Sequence, residues 1–310
     1  MQLGPESDTV AGPADAANLP PHRRLLLFFQ GKRVSQMIYA LTVLGVADHL
    51  ARGPMTAAEL AEAVGADAGA LYRVLRCTAS VGVFSQQPDG RFALTPMADA
   101  LRTDSAVSQR DVVLFDGHEA MWRPLGEILH TLRTGEPAVT LALAGQQADD
   151  APRRWHKARF DRVADEALVA GFDFARFRKI TQIGGGSPLP GLAPGHVRAV
   201  SEVPEVPDGS EAYLLRHPVH EWDDDRVRET LGRIRQAVGG ETRLLLCAFV
   251  LSGPNAWDTG KFADVDIMLT GGGRHRDLAE WRRLVGSAGF ELVDPPRTGS
   301  WAVLECRLVY

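Results

Sequence analysis

The chain has 310 residues, 45% hydrophobic and 24% charged, the composition of a globular protein long enough for two domains and a full core. Its 34 lysines and arginines against 39 aspartates and glutamates leave a net charge of −5, which excludes a polyanion such as nucleic acid as the expected partner. No apolar run approaches the roughly 20 residues of a membrane span, and Cys77, Cys247 and Cys306 stand alone, as buried thiols of a reduced cytoplasmic protein would.

Residues 1–21 are rich in proline, alanine and aspartate and read as a disordered tail; no apolar core follows a basic start, so they are not a signal. Residues 22–105 read as a helical domain with a small hairpin. From Arg24 to Leu50 apolar residues recur at helical spacing, among them Leu27, Val34, Met37, Leu41 and Val46. They cover much of the circumference, which suits a helix buried between subunits. Thr56 and Glu59 form a capping box before an apolar run that Gly65 ends, and a second helix begins at Asp67. Val81 to Leu94 alternates around Pro88-Asp89-Gly90, a hairpin turn. Two short helices and a hairpin make a winged helix-turn-helix. Only Arg73 and Arg76 are basic in the recognition-helix stretch, so this module is read as a dimerisation domain rather than a DNA reader.

Residues 106–175 read as a helical connector that contributes to a substrate pocket. Met121, Trp122, Leu125, Ile128 and Leu132 supply anchors, residues 146–154 a polar loop and residues 155–168 a helix. Residues 176–310 alternate strands and helices, as an α/β sheet does. The strand candidates are 179–183, 196–200, 212–216, 243–250, 290–293 and 301–307. Asp223, Asp224 and Asp225 form the cap and acidic first turn of a helix that runs to Val238.

The strand ending at Ile183 runs into Gly184, Gly185 and Gly186, the usual opening of a nucleotide-type cofactor site. Pro188, Pro190 and Pro194 follow and forbid a regular helix. The next strand-like run starts at once, so the cradling helix and an acid-bearing strand are expected to have nothing to form from. His217 and His220 flank Pro218, and helical metal spacing does not apply, so no metal is expected.

Several segments together resemble the small-molecule O-methyltransferases of plant phenylpropanoid and bacterial polyketide pathways. They are residues 71–76, Phe172-Asp173-Phe174, the glycine cluster, residues 213–225, Asp266-Ile267-Met268-Leu269 with residues 272–276, Glu280-Trp281 and Ala288-Gly289-Phe290. The resemblance implies a homodimer built on the helical domain, a Rossmann-like sheet carrying S-adenosylmethionine, and an aromatic or polyketide-like acceptor beneath it. It places the general base at His220, and the two acids that would orient that base at positions held by Ala248 and His275. It places the first-strand aspartate at Gln182 and leaves the ribose-binding acid and the adenine-side Gly-Asp motif without counterparts. It also brings Met121, Trp122, Trp257, Asp266 and Met268 to the acceptor pocket.

These departures set the expectation. The fold is α/β: a winged-helix dimerisation domain followed by a truncated Rossmann-like sheet of five or six strands. No cofactor is expected, and Gly184, Gly185 and Gly186 are a remnant. The acceptor pocket would then serve cyclisation, rearrangement or dehydration of a natural product, with His220 as acid/base and His275 as its partner or a second proton donor. Two alternatives stand beside it: a non-catalytic binding or scaffold homologue, and an S-adenosylmethionine-dependent O-methyltransferase with an unusual cofactor site.

Overall fold

The computed structural model describes residues 19–142, 164–184, 188–190, 197–200, 209–216, 219–293 and 296–309. Residues 1–18 of the expected N-terminal tail, the polar loop at 146–154 and most of the helix expected at 155–168 lie outside these residues, and Pro21, the last residue of that tail, already opens the first helix. The chain divides into two compact units, residues 1–122 with 149–156, and residues 123–148 with 157–310.

The first unit opens with α1 (Pro21–Val43), whose proline at the first helical position costs no hydrogen bond. The single helix expected through Leu50 is in fact two. Gly45 takes a left-handed φ of 68°, and α2 (Val46–Leu50) starts after it. Only glycine adopts that conformation without strain, so the break is written in the residue type. In α3 (Ala57–Val64) both bonds of the Thr56–Glu59 capping box are present, and Gly65 closes the helix at φ 69°. Asp67 caps α4 (Ala68–Ser80) by accepting from the Ala70 amide. Strands β1 (Phe84–Gln86) and β2 (Phe92–Leu94) pair antiparallel, Phe84 opposite Leu94. Leu41, Val46, Leu60, Leu71, Leu75, Phe84 and Phe92 form one core. Cys77 is exposed rather than buried, because it lies on the outer face of α4. After α5 (Pro96–Asp99) come α6 (Arg110–Asp116) and α7 (Glu119–Gly126), the latter with Pro124 inside it.

In the second unit α8 (Ile128–Thr134), α9 (Val139–Ala142) and α10 (residues 164–171) precede the sheet. Its strands are β3 (Ile180–Ile183), β4 (Val197–Val200), β5 (Ala212–Leu215), β6 (Arg243–Leu251), β7 (Arg276–Asp277), β8 (Phe290–Leu292) and β9 (Ser300–Leu308). They form one seven-stranded sheet in the order β4-β3-β5-β6-β9-β8, with β7 added beside β6. This corrects the expected five or six strands. The six strands on the continuous path lie where the sequence placed them. The seventh is two residues long, too short to leave a periodic pattern.

β3, β4, β5 and β6 run parallel, and β9 and β8 complete an antiparallel edge. All four residues of β3 and of β5 are buried, as parallel strands covered on both faces must be. Alternation sends Tyr213 and Leu215 into one core with α11 (Asp224–Ala237) and α13 (Leu278–Ser287), and Ala212 and Leu214 into another with Leu168, Phe174 and Phe177. α12 (Thr259–Thr270) follows β6.

The strand order fixes where a ligand belongs. From β3 the chain crosses to β4 on one side, and β5 then returns to the other side of β3. The carboxyl ends of β3 and β5 therefore flank a topological switch point, where open α/β sheets leave a crevice.

Candidate functional site at the switch point

Two sequence features meet these strand ends. Gly184 follows β3 directly and has φ 74°, a turn a side chain would strain. Beneath it the buried Gln182 side chain donates to the Gly184 carbonyl at 2.9 Å and accepts from the Leu189 amide at 3.0 Å. Leu189, 1% exposed, packs with Phe174, Phe177 and Leu214. Gln182 thus ties the glycine turn to the segment that follows. Gly185 and Gly186 lie outside the described residues.

The strand expected at 196–200 is present as β4 and lies directly beside β3. β4 pairs with β3 along its whole length, Ile180 opposite Val197 and Ile183 opposite Val200. Beyond the proline-rich stretch the chain rejoins the sheet parallel to β3. The first acid after the glycines is Glu202, two positions beyond Val200, near the spacing of about 20 residues at which a ribose-binding acid follows such a turn. Glu202 itself lies outside the described residues.

His220 lies five positions past the end of β5, in a single helical turn (Val219–Glu221). Its ring is buried and stacks on that of His275, centroids 5.1 Å apart and planes at 23°. Phe249 and Trp301 complete the cluster, at 5.4 Å from His275 and 5.6 Å from His220 respectively. Ala248, buried in β6, supplies no carboxylate. His275 is 2% exposed, and neither of its ring nitrogens has a partner among the described residues. Burial, reinforced by the Arg276 cation and opposed by Asp258, pushes its imidazole down to about 4. It is therefore neutral near pH 7, one nitrogen a donor and the other an acceptor.

The two histidine segments are held by backbone-level contacts. Asp264 accepts from the His275 amide at 2.5 Å, and burial holds the Asp264 carboxyl above the usual range. Arg276, 1% exposed, donates to the carbonyls of Val219 at 3.2 Å and Trp222 at 2.9 Å, on either side of His220, and to Asp224 at 2.8 Å. Asp224 follows Asp223, the N-cap of α11, which accepts from the Arg226 amide at 2.8 Å. Gly273 fits against the backbone of His220 and Glu221 so closely that a Cβ would overlap both. Sequence reasoning singled out His275 but passed over Arg276, Phe249 and Trp301. Only the arginine's place between His275 and an acidic helix start hinted at its role.

The residues expected in the acceptor pocket divide between the units. Met121 and the 44%-exposed Trp122 end the first unit on α7. In the second, Asp266 and Met268 are half-buried on α12. Trp257 is 76% exposed and lies against Phe262, centroids 6.2 Å apart, so it belongs to no core of the described residues.

Comparison with known proteins follows the same division. A family model for the O-methyltransferase dimerisation domain matches residues 26–104, and one for the O-methyltransferase domain matches residues 200–291. The 8-amino-8-demethylriboflavin N,N-dimethyltransferase of Streptomyces davaonensis is 30% identical, over 92% of this chain and 95% of its own. A phenazine O-methyltransferase of Lysobacter antibioticus is 28% identical, over 94% of this chain and 98% of its own. An O-methyltransferase from neocarzinostatin biosynthesis, solved with S-adenosyl-L-homocysteine and 1,4-dihydroxy-2-naphthoic acid, superimposes with a TM-score of 0.70 at 26% identity, over 89% of this chain and 96% of its own.

These findings overturn the expectation of a chain without a cofactor that performs cyclisation, rearrangement or dehydration. Relatives matching nearly its whole length are methyltransferases, and a structural neighbour was solved with the demethylated cofactor. The physical reason is the sheet: the switch point, the glycine turn and the strand beside it are all present. The expectation erred by taking the prolines after the glycine cluster as the loss of the whole site.

Proposed function

The chain belongs to the O-methyltransferase family, and from that premise we propose that it transfers a methyl group from S-adenosylmethionine to a small aromatic acceptor, as a homodimer. The observation that carries this reading is that the Gly184 turn and His220 follow the two strand ends that flank the switch point of the sheet. The residues present fit such a cofactor. The positive-φ turn admits close backbone approach, Gln182 fixes it, and Glu202 follows the neighbouring strand at the spacing of a ribose ligand. When bound, the cofactor supplies an electrophilic methyl group on sulfonium sulfur.

The protein's own residues then have three tasks. His220 takes the proton of an acceptor hydroxyl, which imidazole chemistry allows near neutral pH. Arg276 and Gly273 hold the turn that carries it. Phe249 and Trp301 exclude water around the imidazoles.

The test is mass-spectrometric detection of a deuterated methyl group passed from labelled S-adenosylmethionine to a panel of naphthols, hydroxynaphthoates and hydroxyphenazines. Transfer is expected, and His220→Ala should slow it by about 10²- to 10⁴-fold. Unchanged turnover in His220→Ala would remove the base from His220. No transfer to any member of the panel, together with no affinity for the cofactor, would overturn the reading itself.

A further inference from the structure

His275 is a buried imidazole whose polar atoms have no use within the described fold. It is 2% exposed and both ring nitrogens lack partners there. Native proteins seldom leave such groups unsatisfied, because each costs the full desolvation of the group. The loop does not need the ring for its own structure. Its backbone is fixed by the bond from the His275 amide to Asp264 and by the flanking Arg276. The ring instead lies among planar partners: His220 stacked at 5.1 Å, Phe249 at 5.4 Å and Trp301 at 6.4 Å.

We propose that His275 is an acceptor-binding residue, whose ring nitrogens are satisfied by a hydroxyl or carbonyl oxygen on a planar aromatic acceptor. The chemistry of the site selects that class. A neutral imidazole offers one N–H and one lone pair, the complement of a hydroxyl or carbonyl. Its depressed proton affinity, from burial and the Arg276 cation, keeps it in that neutral form near pH 7. The aromatic surroundings favour a flat ring over an aliphatic chain. The inference rests on the methyltransferase reading for its word acceptor, but its geometry stands on His275 alone.

The test uses the full-length protein, His275→Phe and His275→Gln, with two probes: S-adenosylhomocysteine and 1,4-dihydroxy-2-naphthoic acid. Wild type should bind both. His275→Phe should keep its affinity for S-adenosylhomocysteine and lose about tenfold or more for the naphthoate, a loss in the range of one hydrogen bond. His275→Gln, which retains a donor and an acceptor, should recover part of that loss. The melting temperature of His275→Phe should not fall, since no bond within the fold is removed. The proposal is overturned if His275→Phe binds the naphthoate as well as wild type does, if its melting temperature drops by several degrees, or if wild type binds S-adenosylhomocysteine but not the naphthoate. Absence of S-adenosylhomocysteine binding in all three proteins would instead count against the methyltransferase reading, and the naphthoate arm would still decide the role of His275.

Discussion

Burial of His275 makes the stability of the second unit depend on pH. The unfolded imidazole takes up a proton near 6.5, whereas the native one resists it until about 4. A lowered histidine value means that its contribution is complete above 6.5 and is lost as the pH falls toward 4. The loss amounts to about 3 kcal/mol across that window. Asp264 works in the opposite sense: its carboxyl is raised by burial, so its contribution is present in acid and is lost as the pH rises through that raised value. Urea unfolding on either side of the window, in wild type and in His275→Phe, separates the two. The substitution should remove most of the loss on acidification, and an unchanged pH dependence would show that the imidazole is not its source. Gly273 gives a second test at this scale. Alanine there would overlap the backbone of both His220 and Glu221, neither of which can swing away. Gly273→Ala should cost about 1–3 kcal/mol, the range for forced overpacking, and should reduce turnover; a melting temperature equal to wild type would contradict the close approach.

At the scale of elements, two side chains hold the switch point together. Arg276 joins the turn of His220 to the start of α11. Arg276→Met keeps the stem but orphans the Val219 and Trp222 carbonyls. A loss of about 2 kcal/mol is expected, below that of a fully buried ion pair because Asp224 is 45% exposed and can return to water. Denaturant unfolding measures it, and turnover should fall further than stability predicts. Gln182 plays the corresponding part at β3. Gln182→Leu would leave the buried Leu189 amide unpaired and free the Gly184 carbonyl, so affinity for S-adenosylhomocysteine should fall, as titration would show. Legibility in the sequence follows the same elements. β5 and, from Leu244 onward, β6 are continuous apolar runs buried on both faces, and the capping residues Thr56, Asp67 and Asp223 each mark a helix start that the structure has. Less legible was the break at Gly45, a lone glycine inside an apolar periodicity that continues across it. The cofactor side misled for a different reason. Prolines 188, 190 and 194 speak to local backbone geometry, while the pairing of β4 with β3 is a long-range contact that no local pattern encodes.

At the scale of the whole molecule, the first unit matches a dimerisation domain and presents Leu25, Leu26, Phe28 and Phe29 on α1, each more than half exposed in the single chain. Apolar surface of that density is expected to be covered by a partner. Light scattering should give twice the chain mass of 33.6 kDa, and Phe28→Asp with Phe29→Asp should shift the protein toward monomer; a monomeric wild type would contradict the assignment. The central claim, however, concerns the cofactor. It is tested most directly by isothermal titration of the full-length protein with S-adenosylhomocysteine. Binding in the micromolar range, about −8 kcal/mol, is what the glycine turn, Gln182 and the neighbouring strand predict. No heat of binding at millimolar ligand would contradict the account, because the strand order would then frame a crevice that holds no cofactor.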